Sequence, residues 1–309
     1  MKQKEILVFG ASGQIGRNLI RKLTKNNHRV IAVTRNIHQR GYILKTQANP
    51  GYLEIIELSS FDEEKINSLI KECSICINLI GILNEKRKNH FKNIHIDLPS
   101  FFSKIAKKHK IDQFIHISAL GIDDALDSKY ATSKIAGEEA VKKNFDRSVI
   151  LKPSLVYSVD DNFTTRFMTL LNFLPFIPIY YKGKTNFTPI HVADMVLIIS
   201  EIIERNIVGE TVECIGPEVL SFKDIILKLL NSIDKKKLLI PLPLSIAKIT
   251  AKIFEIMPKP LLTIDQLNLL KYDNIASKKY KTNFELGINA NRKFENEIEK
   301  YSYNWKYGG

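Results

Sequence analysis

Short apolar runs alternate with amphipathic stretches through the first half of the chain. Residues 5–9, 29–34, 53–58, 75–81, 113–118 and 148–152 have the length and apolar content of buried strands. Between several of them, residues 15–25, 62–71, 98–108 and 129–143 carry apolar side chains at helical spacing. Repeated strand–helix–strand units predict the α/β class, with a doubly wound parallel sheet and right-handed crossovers.

After Pro153 the pattern loosens. Residues 160–194 hold an apolar helix-like stretch, a turn marked by Pro175 and Pro178, and a short strand-like return at 187–192. From Ser221 the chain reads helical, with proline-rich joints at 241–243 and 258–260. The expected organisation is a nucleotide-binding domain over 1–157 plus about 186–216. A smaller, mainly helical subdomain over about 158–185 and 217–309 then faces substrate or partner. Residues 244–257 alternate apolar residues with Lys248, Lys252 and Glu255. They fit either a core helix or one that docks on a partner or a membrane surface.

Composition narrows the class. At 309 residues, with 44% hydrophobic and 26% charged residues, the chain buries a real core and is neither fibrous nor disordered. Three cysteines, Cys73, Cys76 and Cys214, make no disulfide framework and suit a reducing compartment. Cys73 and Cys76 have CxxC spacing but lack the further ligands of a metal site, so they read as core thiols and no metal is expected. The net charge of +13 comes from scattered lysines, and the densest cluster, 84–92 with Lys86, Arg87 and Lys88, holds no binding motif. Nucleic acid is therefore not an expected partner, whereas attraction to anionic lipid or an acidic protein is. The first strand begins almost at Met1, and the longest apolar stretch, 170–181, is short and broken by prolines. The expected location is cytoplasmic, or peripheral on the inner face of the membrane.

The first strand runs directly into Gly10, Ala11, Ser12, Gly13, Gln14, Ile15 and Gly16, which open the first helix. In a Rossmann unit the first glycine makes the tight turn, the second admits a pyrophosphate, and the third lets helix and strand pack closely. The helix N-terminus offers free N–H groups to the phosphates. At the end of the second strand, Val33-Thr34-Arg35-Asn36 contains no carboxylate for a ribose 2′-hydroxyl. Arg35, assisted by Arg40 or Arg17, suits a 2′-phosphate, so NADP(H) is expected over NAD(H). Gly183-Lys184-Thr185 is rejected as a phosphate loop, because Pro178 stands where its upstream glycine belongs.

Tyr130 and Lys134 are four residues apart at the start of a helix and share one face. A lysine cation beside a phenol is expected to pull the tyrosine below its reference of about 10 and make it an acid–base at neutral pH. Ser118, at the carboxyl end of the fifth strand, is positioned to polarise a substrate carbonyl.

With these residues in place the chain resembles the extended or atypical short-chain dehydrogenases/reductases, of the NAD-dependent epimerase/dehydratase type. The resemblance implies catalytic roles for Ser118, Tyr130 and Lys134, with Lys134 also holding the nicotinamide ribose and Pro153 and Ser154 bordering the nicotinamide. Gly81 joins the implied cofactor contacts. The stretches 78–83, 152–157, 160–163, 188–194, 241–244 and 261–267 narrow the match. They resemble the family of the accessory nucleotide-binding subunit of respiratory complex I, alpha-subcomplex subunit nine, and its bacterial relatives. That family implies bound NADPH and a structural role without accepted turnover. Bacterial relatives imply epimerase- or dehydrogenase-like chemistry and, for some, ubiquinone biosynthesis. Two readings follow: an NADP(H)-dependent oxidoreductase or epimerase acting on an unidentified small molecule, or a cofactor-holding accessory, assembly or redox-sensing protein of a respiratory or quinone-biosynthesis complex. His191, Asp194 and His95 are expected to be structural, with Asp194 capping the helix that follows.

Overall fold

The computed structural model describes residues 3–85, 87–255, 260 and 262–306. Six strands and five helices alternate in the first half: β1 (Glu5–Phe9), α1 (Gln14–Lys25), β2 (Arg29–Thr34), α2 (Ile37–Lys45), β3 (Leu53–Glu57), α3 (Glu63–Glu72), β4 (Ile75–Asn78), α4 (Leu98–His109), β5 (Gln113–Ile117), α5 (Lys129–Asn144) and β6 (Ser148–Pro153). The remainder comprises β7 (Val156–Tyr157), α6 (Thr164–Phe173), β8 (Phe176–Ile179), β9 (Asn186–Phe187), β10 (Ile190–His191), α7 (Val192–Glu204), β11 (Thr211–Cys214), β12 (Leu220–Ser221), α8 (Phe222–Ser232), β13 (Leu238–Pro241), α9 (Leu244–Phe254), α10 (Ile264–Leu269), β14 (Lys281–Thr282) and α11 (Phe294–Lys306). The expected Rossmann-type α/β architecture is the one observed.

Eight strands pair in parallel in the order β14-β11-β6-β5-β4-β1-β2-β3. Strand alternation sends successive side chains to opposite faces. Ile6 and Val8 of β1 join Leu19, Ile20 and Leu23 of α1 and the apolar face of α7. Leu7 and Phe9 join α3 and α4 on the other face, where Phe9 stacks on Phe102 at 4.2 Å. Helices covering both faces are what let the central strands be apolar throughout. A third cluster, built on α6, α8 and α11, forms the core of the smaller C-terminal part.

Two helices depart from expectation. Residues 37–45 form α2, whose only buried residues are Gly41 and Leu44, so little apolar periodicity marks it. Residues Lys92–Asp97 form a π-helical turn leading into α4, which breaks the 3.6-residue spacing. The expected cap also moves. His191, not Asp194, is the N-cap of α7 and accepts from Ala193 N at 3.3 Å. Asp194 sits in the first turn and binds Arg292, whose backbone N donates to it at 3.0 Å. Cys73 and Cys76 lie in the core against α3, and burial pushes the Cys73 thiol up to about 12.

Candidate dinucleotide and acid–base site

The sheet order reverses between β1 and β4, and the loops after these strands lie at their carboxyl ends, where sheets of this kind place a ligand crevice. Gly10 turns there with φ +77°, and a Cβ on it would lie 3.0 Å from the Leu79 carbonyl carbon. At Gly16 a Cβ would collide with Ala11 O, so α1 meets β1 only because the side chain is absent. Gly13 N closes the turn on Gly10 O at 3.0 Å, and no side chain caps the α1 N-terminus. Ser12, Gln14 and Ile15 thus surround a helix start with unclaimed N–H groups, a cradle that fits a pyrophosphate. Gln14 also donates to Ser158 at 2.8 Å, tying the loop to the segment after β7.

The residues expected at the far end of a dinucleotide are brought close to one another. Lys134 is buried, and its Nζ donates to Ile117 O at 3.0 Å. A Cβ on Gly81 would lie 3.4 Å from that Nζ, so the turn after β4 and the α5 lysine meet at this glycine. Pro153 ends β6 and accepts from Leu120 N at 2.9 Å, closing the wall between β5 and β6. Tyr130 is half-buried, edge-on to His95 at 5.4 Å and to Phe91 at 6.1 Å.

The electrostatics run opposite to the expectation for Tyr130. Burial, and then the Asp265 carboxylate, push the phenol up from 10.0 to about 12. Lys134 itself is pulled from 10.5 down to about 8 by burial, against the opposing pull of Glu138. It thus keeps its proton at pH 7, but at a cost in free energy. Ser118 is also engaged elsewhere. Its buried hydroxyl donates to Glu138, which pairs with Lys152 at 3.3 Å, and Lys152 in turn meets Asp123 at 2.6 Å. Among the described residues, the Ser118 hydroxyl has no other hydrogen-bond partner. His95 accepts from Ile82 N at 3.2 Å and pairs with Ser133 at 2.8 Å. Burial first, and the Lys134 cation second, lower it to about 3, so it stays neutral.

A segment from far down the chain completes this site, and sequence reasoning missed it. Asp265 accepts from Lys129 N at 2.7 Å, Tyr130 N at 3.0 Å and Ser128 Oγ at 3.0 Å, capping α5 from outside. Gln266 donates to Asn84 at 3.0 Å across the mouth of the crevice. Asn274 donates to Leu120 O at 2.5 Å and accepts from Ser154 Oγ at 2.5 Å. The advance signals were the resemblance at 261–267, to which no role was given, and within it Thr263-Ile-Asp-Gln266, a capping-box spelling that starts α10.

At the end of β2, where the expectation for the cofactor was formed, a carboxylate does approach from the neighbouring strand. The carboxylate missing from the end of β2 is supplied by β3. Thr34 pairs with Glu57 in register, and Glu57 accepts from Ile37 N at 2.8 Å, just beyond Arg35 and Asn36. Arg17, expected to assist Arg35, instead donates to Ser12 O at 2.8 Å and pairs with Asp160. Arg35 is exposed.

The expectation of NADP(H) is corrected by comparison with known proteins. The chain superimposes on a mutant UDP-glucuronic acid 4-epimerase from Bacillus cereus with a TM-score of 0.72. That match has 20% identity and covers 97% of this chain and 99% of the other. The epimerase structure holds NAD, as do further structures of the same fold, which favours NAD(H) over the expected NADP(H). In sequence, the chain is 27% identical over 282 residues to the mitochondrial NADH dehydrogenase (ubiquinone) 1 alpha subcomplex subunit 9 of Arabidopsis thaliana, covering 87% of this chain and 70% of that one. It is 25% identical over 191 residues to a ceramide reductase of Caulobacter vibrioides, covering 61% and 57%. The family model described as NAD dependent epimerase/dehydratase matches residues 6–214, from the first residues of β1 to the end of β11, and the chain belongs to that family.

Proposed function

We propose that this protein holds NAD(H) as an accessory, assembly or redox-sensing component of a respiratory, complex I-like or quinone-biosynthesis assembly, and does not turn over a substrate. The observation that carries this reading is a contrast within one site. The cradle at Gly10, Gly13 and Gly16 and the Lys134–Gly81 contact suit a bound dinucleotide. The acid–base set is detuned, with Tyr130 at about 12 and the Ser118 hydroxyl given to Glu138. Similarity to a complex I subunit over 87% of the chain supports the same reading. Bound dinucleotide supplies hydride chemistry or, in this role, a redox-dependent charge. Residues 1–157 and about 186–216 would hold it, and about 158–185 and 217–309 would face the partner. In this reading the protein works in the cytoplasm, against the inner face of a membrane. No helix among the described residues is long and apolar enough to cross a membrane.

A second reading, an oxidoreductase in which Tyr130 moves the proton, is favoured by the Tyr130/Lys134 spacing and by the similarity to a ceramide reductase. Calorimetry with NADH, followed by Tyr130→Phe, separates the two. The accessory reading expects NADH binding and partner co-purification that both survive the substitution. Loss of a Tyr130-dependent turnover with a carbonyl lipid or quinone would overturn it.

A further inference from the structure

Helix α9 is built inside out for a helix of a globular protein. It buries only Ala247 and Ala251, whereas Ile246, Ile249 and Ile253 are 46%, 61% and 58% exposed. At 100° per residue these three isoleucines fall within one stripe about 60° wide, and Lys252 and Lys248 follow on one side, about 60° and about 100° beyond its edge. Packing through two alanines holds the helix close to the body while the larger side chains face out. Leu244 at its start is exposed as well, and so are Leu238 and Phe176, which pair at the beginning of β13 and β8 in the strand pair that leads into the helix.

Charge says what this face suits. From Lys235 to Phe254 the chain carries five lysines, Lys235, Lys236, Lys237, Lys248 and Lys252, and no carboxylate. An apolar stripe with lysines beside it, and carboxylates only at the limits of the segment in Asp234 and Glu255, complements a surface that is apolar below and negative above. Its eleven residues span about 16 Å, too short to cross a bilayer and suited to lying in its plane.

We infer that α9 docks the protein onto an anionic lipid bilayer, with Ile246, Ile249 and Ile253 entering the acyl boundary and the lysines meeting the headgroups. The surface is mechanically close to the dinucleotide crevice. Glu255, at the end of α9, accepts from Ile264 N at 2.7 Å, and α10 then delivers Asp265 to α5 and Gln266 to Asn84. A bilayer beneath α9 lies one helix away from the mouth of the site. The inference does not depend on whether that site turns over.

Sedimentation with sucrose-loaded vesicles of phosphatidylcholine and phosphatidylglycerol tests it. The full chain should pellet with these vesicles and far less with phosphatidylcholine alone. Ile249→Ser/Ile253→Ser, which leaves the charge untouched, should weaken binding about tenfold or more. Lys248→Gln/Lys252→Gln should weaken it and flatten its salt dependence. If the isoleucine variant binds as the parent does, the attraction is only that of a basic protein for any anionic surface and the inference fails. It fails equally if sedimentation velocity reveals a dimer that the isoleucine variant dissociates, because the face then belongs to a second copy.

Discussion

Replacing Lys134 by methionine removes a charge that the fold holds against its own preference. Burial lowers this ammonium from 10.5 to about 8, which corresponds to a penalty of roughly 3 kcal/mol on the charged form at pH 7. Methionine fills a similar volume but leaves Ile117 O without its donor, a loss of about 1–2 kcal/mol. The net expectation is a variant more stable by about 1–2 kcal/mol at pH 7, or about 1.5–3 °C in Tm. The pH dependence gives the sharper signature. Between pH 8 and 10.5 the unfolded lysine keeps a proton that the native one has lost, so wild-type stability rises with pH through that window. The advantage of Lys134→Met should therefore shrink above pH 8 and reverse by pH 10.5. Thermal unfolding of both proteins from about pH 7 to about pH 10 measures this, with calorimetry expected to show that the stabilised variant no longer binds NADH. A variant less stable at neutral pH, by a margin that stays constant as the pH rises, would refute the burial account.

Three further outcomes follow from the same geometry. Glu57→Gln keeps the hydrogen bond from Ile37 N and removes the negative charge, so calorimetry should show NADPH gaining roughly fivefold on NADH. Asp265→Ala uncaps α5, with an expected loss of about 1–2 kcal/mol in urea unfolding, and lowers the Tyr130 phenol from about 12, as read by ultraviolet titration against Tyr130→Phe. His95 stays neutral in the fold down to about pH 3, whereas unfolded histidine takes up a proton near 6.5. Stability should thus fall as the pH drops through that window, and urea midpoints of His95→Gln should fall less steeply.

Much of the sheet was legible because its helices and strands obey simple periods. β1 to β6 with α1, α3, α4 and α5 were marked by apolar runs and amphipathic spacing, and the glycine loop by its position between β1 and α1. α2 escaped because it buries one leucine and one glycine, and the turn at 92–97 because π-helical bonding abolishes the spacing that reveals a helix. The site was legible in its members and illegible in its charges. The Tyr130–Lys134 spacing predicted a shared face, but the phenol's environment depends on Asp265, 135 residues away. The cofactor was expected to be NADP(H) from the lack of a carboxylate at the end of β2, yet structures of the same fold hold NAD, and here a carboxylate reaches that strand end from β3 through strand register. A pattern within one segment cannot show what a neighbouring strand or a distant helix contributes electrostatically.

The stitching of the crevice by Asp265, Gln266 and Asn274 also bears on how the protein is born. During synthesis the strands β1 to β6 and β11 leave the ribosome first and can assemble as a unit. At that moment α5 lacks its outside cap, the carbonyl of Leu120 lacks its partner, and the edge of β11 is open until β14 arrives. A polypeptide that stalls before residue 265 therefore exposes the edge of β11 that β14 covers in the finished fold.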